Sequence, residues 1–152
     1  MIITIVSFAL LPVSAIAVFT RMRGILGRLG ERTEAFPVKS PFQFAGVLIL
    51  APVLIALPLF RDFDILTVFA ISGVGVMGFY IACQEIAFAR HGGICANGVI
   101  WNSTYVLFGD VDSVVKSDPN TLMILLRDRT QKFFVSNNVE TVGRVAGLFE
   151  SA

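Results

Sequence analysis

Residues 65–83 read Ile65-Leu66-Thr67-Val68-Phe69-Ala70-Ile71-Ser72-Gly73-Val74-Gly75-Val76-Met77-Gly78-Phe79-Tyr80-Ile81-Ala82-Cys83, without one charged side chain. That is the length a helix needs to cross a hydrocarbon core roughly 30 Å thick at about 1.5 Å per residue. Two further stretches of the same kind precede it, Met1–Thr20 and Phe42–Phe60, and they too are free of charge. The reading is a membrane α-helical protein with three transmembrane helices, at 1–20, 42–60 and 65–83, followed by a small α+β C-terminal domain. Composition agrees. Of the 152 residues 55% are hydrophobic and only 15% charged, against about 25% charged in an ordinary soluble domain.

The charges are unevenly placed. Arg21, Arg23, Arg28, Arg32 and Lys39 crowd the loop 21–41, opposed only by Glu31 and Glu34, whereas Arg61-Asp62-Phe63-Asp64 is a short turn. Basic residues flanking membrane spans stay on the cytoplasmic side. The expected topology therefore has the N-terminus outside, loop 21–41 inside and everything after Gln84 inside, in the inner membrane of the cell. Arg21, Arg23, Arg28 and Arg32 are the candidate membrane-surface residues. Ile25, Leu26 and Leu29 lie beside them and can dip between headgroups, an ordinary positive-inside loop being the plainer reading. Ala15-Ile16-Ala17 resembles a signal-peptide cleavage site, but no basic residue precedes the apolar run, so the first segment is read as a retained span.

Within the third span Ser72, Gly75, Gly78 and Ala82 step by three, three and four residues and fall on one helix face. Small side chains so arranged let two helix backbones approach, which makes these four the candidate helix-packing residues. Their partner is another span of this chain, or a helix of a different subunit. No Asp, Glu, Lys, Arg or His lies inside a span, so the spans offer no evident proton relay or counter-ion. His91, the single histidine, lies beyond the third span, which rules out a haem held by a transmembrane histidine of this chain. Pro12 and Pro52 are expected to bend their helices, Pro58 to end the second, and Lys39-Ser40-Pro41 to start it.

The tail changes texture to short β-prone runs separated by turns. Strands are expected at Ile86–Arg90, Ile94–Asn97, Val99–Trp101, Tyr105–Phe108, Val111–Lys116, Thr121–Arg127 and Gln131–Val135. Thr121–Arg127 hardly alternates, so both of its faces are expected to be covered. A helix over about Asn138–Phe149 closes the chain, capped by Asn137 and burying Val139, Val142, Ala146 and Phe149. Trp101, Tyr105, Phe108, Phe133 and Phe134 are many aromatics for so small a unit. Some must build its core, and the others are candidate partner-docking residues.

Gly93-Ile94, then Phe108 with Asp110-Val111, then the apolar hairpin Leu122–Leu126 into Phe133–Val135 and the final helix make a recognisable order. Residues 86–150 in this way resemble the small PH-like domains that follow transmembrane helices in many prokaryotic membrane proteins, although that family often has Trp where this chain has Phe108. The resemblance implies a bent antiparallel sheet closed by one helix, in a domain 84–152 that binds proteins or lipid headgroups and catalyses nothing. Only Arg90 and His91 supply positive charge near its first strands, too little for a specific headgroup.

No catalytic constellation, cofactor site or metal site is readable. One histidine cannot serve a hydrolase triad without a GxSxG serine, and Asp110 and Asp112 read as solvated turn carboxylates. Cys83 and Cys95 have no metal-ligand spacing and read as small buried residues in a reducing compartment. Asn102-Ser103-Thr104 fits a glycosylation acceptor but falls on the cytoplasmic side. Arg127, Arg129 and Lys132 read as a solvated edge, so nucleic acid is not an expected partner. The expected partners are membrane lipids and other integral-membrane subunits. The expected function is that of a non-catalytic accessory or scaffolding subunit of a larger membrane complex, a respiratory or photosynthetic complex being one setting. The alternative is a free-standing membrane adaptor or sensor.

Overall fold

The structure is a computed structural model that describes residues 2–36 and 42–150. The expected helix start at Lys39-Ser40-Pro41 lies outside the described residues. The chain divides into two compact units: residues 1–26 with 37–91, and residues 27–36 with 92–152.

In the first unit α1 spans Ile2–Leu29, α2 Phe42–Ala56 and α3 Ile65–His91. Two of these, α1 and α3, are long and apolar enough to cross a membrane. Only 22% and 17% of their most apolar windows are buried, less than in the core helices of soluble proteins. Ile5, Ile16 and Phe19 on α1, and Phe69, Val74 and Met77 on α3, stand exposed. α2 is shorter and runs into a 3-10 turn, Leu57–Leu59, which contains Pro58. Asp64 caps α3, its Oδ1 accepting the backbone N–H of Leu66 at 3.1 Å and of Thr67 at 3.0 Å.

Two boundaries differ from the sequence reading. α1 continues past Thr20 to Leu29, although Gly24 and Gly27 are poor helix formers. Met22, Ile25 and Leu29 extend the stripe of Leu11 and Val18 at helical spacing and are buried. Packing of that stripe outweighs local propensity. Ile25 and Leu29 are therefore buried in protein and not offered to headgroups. At the other end Ile86–Arg90 is the last part of α3, not a strand. Once a helix is nucleated each further residue adds a hydrogen bond, Phe88 is buried at 3% exposure, and the helix stops only where Gly92-Gly93 follows.

The second unit holds two antiparallel sheets and one helix. The first sheet has the order β1-β2-β3-β4: Arg32–Ala35, Gly93–Cys95, Gly98–Trp101 and Thr104–Leu107. The second has the order β5-β6-β7: Val111–Asp118, Thr121–Leu126 and Gln131–Val135. A 3-10 turn, Phe108–Asp110, links them, and α4 spans Val139–Glu150. β1 comes from the basic loop 21–41, where the sequence reading placed no strand. It pairs with β2 through Glu34↔Ile94 and Ala35↔Gly93, and the Thr33 hydroxyl donates to the Ile94 carbonyl at 3.1 Å. Gly93 makes this possible, because a Cβ there would collide with the Glu34 carbonyl oxygen.

β3 and β4 meet in a tight turn whose Asn102 and Ser103 have φ of 39° and 60°, the positive pair that matches strand twist in a two-residue hairpin. α4 is capped by Asn138, not Asn137: the Asn138 side-chain oxygen accepts the Glu140 N–H at 2.9 Å. The helix rotates accordingly. Thr141, Val142, Val145 and Phe149 are buried, Ala146 is half-buried, and Val139 is 48% exposed. Its buried stripe closes a core built from Ile94, Val99, Trp101, Val106, Leu122, Ile124 and Phe134.

Candidate functional site: the surface of the β-domain

The aromatics expected at a docking surface separate by strand parity. Trp101 and Phe134 are core residues at 5% and 2% exposure. Their rings meet edge-on at 5.3 Å, and Trp101 Nε1 donates to the Phe133 carbonyl at 2.9 Å. Phe108 is half-buried and stacks edge-on against Phe149 at 5.3 Å. Tyr105 is half-buried too, its backbone carbonyl accepting from Lys132 Nζ at 2.8 Å. Of the five, only Phe133 is largely exposed, at 53%.

Phe133 does not stand alone. Register places Val115 opposite Met123 and Met123 opposite Phe133, so the three side chains form one row across the sheet. Leu122, Ile124 and Leu126 take the inner face of β6, leaving Thr121, Met123 and Leu125 outward and half-buried. The outward set is Ser113, Val115 and Asp118, then Thr121, Met123 and Leu125, then Gln131, Phe133 and Val135. Asp118, beside the β5–β6 turn, is the one charged residue in this set. The unbroken apolar run of β6 led to the expectation that both of its faces are covered; the second face is instead partly open, with Val115 and Val135 each 50% exposed and Met123 and Leu125 half-buried. Lys132 points to the other side, where burial pushes its ammonium below the usual lysine range while Asp128 and Asp110 oppose that shift.

A second feature lies along β5, the end strand of its sheet. A cavity of about 330 Å³ opens between this strand and the C-terminal turn of α4. Phe108, Val111, Val114 and Phe149 form its apolar part, and Asp112, Arg127 and Glu150 stand at its polar part. The β5–β6 register slips between Val111 and Ser113, which makes Asp112 a bulge. Sequence reasoning missed the cavity because its walls come from three separate stretches, 108–114, Arg127 and 149–150.

The helix-packing residues lie together on α3. Ser72 and Ala82 are buried at 1% and 0% exposure. A Cβ on Gly75 would come within 2.7 Å of Ile55 Cγ1, and one on Gly78 within 3.5 Å of Val47 Cγ1, so this strip faces α2. The four arginines expected at a membrane surface are all exposed. Arg21, Arg23 and Arg28 stand on α1 and Arg32 on β1. Arg21 donates to the Tyr80 hydroxyl at 3.4 Å, and Arg23 lies over the Phe19 ring at 5.7 Å.

Cys95 is buried, and burial raises its thiol pKa while Arg32 pulls the other way. A thiol held up in this way is a poor nucleophile at neutral pH. Among the described residues no three of His, Cys, Asp or Glu gather into a metal-holding group. Compared with known proteins, the chain matches no family model, no curated protein and no solved structure.

Proposed function

We propose that this protein is a non-catalytic accessory or scaffolding subunit of a larger membrane complex, anchored by its helices and contacting other subunits through the β-domain. The observation that carries the reading is the outward face of β5–β6–β7, which has Val115, Met123 and Phe133 in one row and a single charge, Asp118, at its turn end. Contiguous exposed apolar surface of this kind marks interaction sites.

Three spans and a PH-like domain belong to the same proposal. α2 with its 3-10 turn rises about 28 Å, close to the roughly 30 Å of a hydrocarbon core. Sheets of four and three strands closed by one helix support the PH-like reading. The exposed arginines from Arg21 to Arg32 support a cytoplasmic β-domain and an outside N-terminus in the inner membrane. A second reading, a free-standing adaptor, draws support from the cavity beside β5.

Purification in a mild detergent followed by mass measurement separates the two. Stoichiometric co-purification with large membrane subunits, abolished by Phe133→Asp, is the result expected of an accessory subunit. Migration of the unaltered chain alone favours the adaptor.

A further inference from the structure

We infer that the free edge of β5 and the cavity beside it accept an extended segment of a partner protein, which adds as a strand along β5 and places a basic side chain in the cavity. The inference rests on the reading that the β-domain binds protein, and it names the chemistry of what is bound.

Backbone chemistry supplies the first half. Among the described residues β5 is hydrogen-bonded to β6 on one side and to no strand on the other. Between its two register slips, Ser113–Lys116 pairs regularly with β6. Alternate N–H and C=O groups of such a run point away from the sheet and can receive another strand. Strand addition of this type takes its affinity from the main chain and its specificity from a neighbouring pocket.

Such a pocket is in place. Val111, Asp112, Ser113 and Val114 all line the cavity, though successive residues of a regular strand face opposite ways. The bulge at Asp112 breaks the alternation and opens the cavity along the strand edge. At about 330 Å³ it lies at the small end of ligand cavities and suits one side chain.

Side-chain chemistry chooses the occupant. The rings of Phe108 and Phe149 pack at 77° to one another and give an aromatic wall for an aliphatic stem. Two carboxylates, Asp112 and Glu150, face one guanidinium, Arg127. A lysine or arginine at the end of that stem gains an opposite charge, whereas an acidic side chain is opposed. Lys116 and the slip before Asp118 blunt the far end of the strand, so a short segment fits and an endless sheet does not.

The test uses the full chain in detergent micelles and two capped heptapeptides of alternating valine and threonine, one with a central lysine, the other with a central glutamate. The lysine peptide is expected to shift the β5 amides and slow their hydrogen exchange, binding about fivefold tighter than the glutamate peptide, as one exposed ion pair allows. The double variant Asp112→Lys with Glu150→Lys, at two exposed positions, is expected to reverse that preference. Unmoved β5 amides at millimolar lysine peptide, equal binding of the two peptides, or a preference for glutamate on the unaltered chain would each overturn the inference. So would a double variant that still prefers lysine. Failure here differs from failure of the proposed function. A chain that migrates alone yet protects β5 loses the accessory reading and keeps this one, and a co-purifying chain with unmoved β5 amides does the opposite.

Discussion

Gly75 of α3 and Ile55 of α2 leave no space for a methyl group between them. A Cβ on Gly75 would stand 2.7 Å from Ile55 Cγ1 and 3.1 Å from the Ala51 carbonyl oxygen. The branched side chain of Ile55, fully buried, fills the notch that glycine leaves. Gly75→Ala should thus force the helices apart and destabilise the helical unit by about 1–3 kcal/mol, the usual range for overpacking. Gly78→Ala meets Val47 Cγ1 at an ordinary 3.5 Å and should be tolerated. Thermal unfolding in detergent compares the two variants, and equal melting temperatures would refute the notch.

The strand borrowed from the first loop should be necessary to the β-domain. Phe36, just after β1, stacks against Phe134 at 5.6 Å and packs on the core. Phe36→Ala should destabilise the domain by about 2 kcal/mol, less than a fully buried phenylalanine would, because Phe36 is half-buried. Hydrogen exchange of the β6 amides measures it. Unchanged protection would mean that β1 decorates the fold without supporting it.

Trp101 offers a test of one hydrogen bond. Its Nε1 donates to the Phe133 carbonyl, joining the first sheet to β7. Trp101→Phe keeps an aromatic ring in the core and leaves that carbonyl without its donor, which should cost about 1–3 kcal/mol. Circular dichroism melting reads the change.

The ion pair between Arg144 and Glu34 should matter little. Its atoms lie 3.1 Å apart, but the side chains are 53% and 37% exposed. Exposed pairs contribute about 0–1 kcal/mol. Arg144→Ala should shift the melting temperature only slightly, and the shift should vanish in high salt. A large, salt-insensitive loss would assign Arg144 a different role.

Acid should weaken the fold through two exposed carboxylates. The Thr67 hydroxyl and N–H hold Asp64 below the ordinary aspartate value of 3.8, and the backbone N–H of Thr130 does the same for Asp128. A carboxylate whose pKa is lower folded than unfolded contributes stability above the unfolded value, and this is lost as pH falls through the folded one. The melting temperature should therefore drop below about pH 4, and Asp128→Asn should flatten that part of the profile.

Much of the architecture is legible in single residues. The charge-free runs give α1 and α3, Pro58 marks the end of α2, and the turn residues Pro119-Asn120 separate β5 from β6. The reading fails where local signal meets distant packing. Ile86–Arg90 is β-prone by composition, but it continues a helix already formed. Asn137 and Asn138 are equal caps on paper, and burial of Val145 in place of Val139 selects Asn138. The candidate site was half legible: Phe133 was named, whereas Val115 and Val135 became partners only through register.

The amino-acid order alone determined which segments are too apolar for water and which alternate as strands, because burial and backbone pairing leave their periods in neighbouring residues. Tertiary structure decided that Arg32–Ala35 belongs to the sheet of the tail, that Trp101 is core while Phe133 is surface, and that Asp112, Arg127 and Glu150 share one cavity. Those outcomes depend on hydrogen bonds and contacts between residues far apart in the chain, and no local pattern encodes which distant partner a strand will meet.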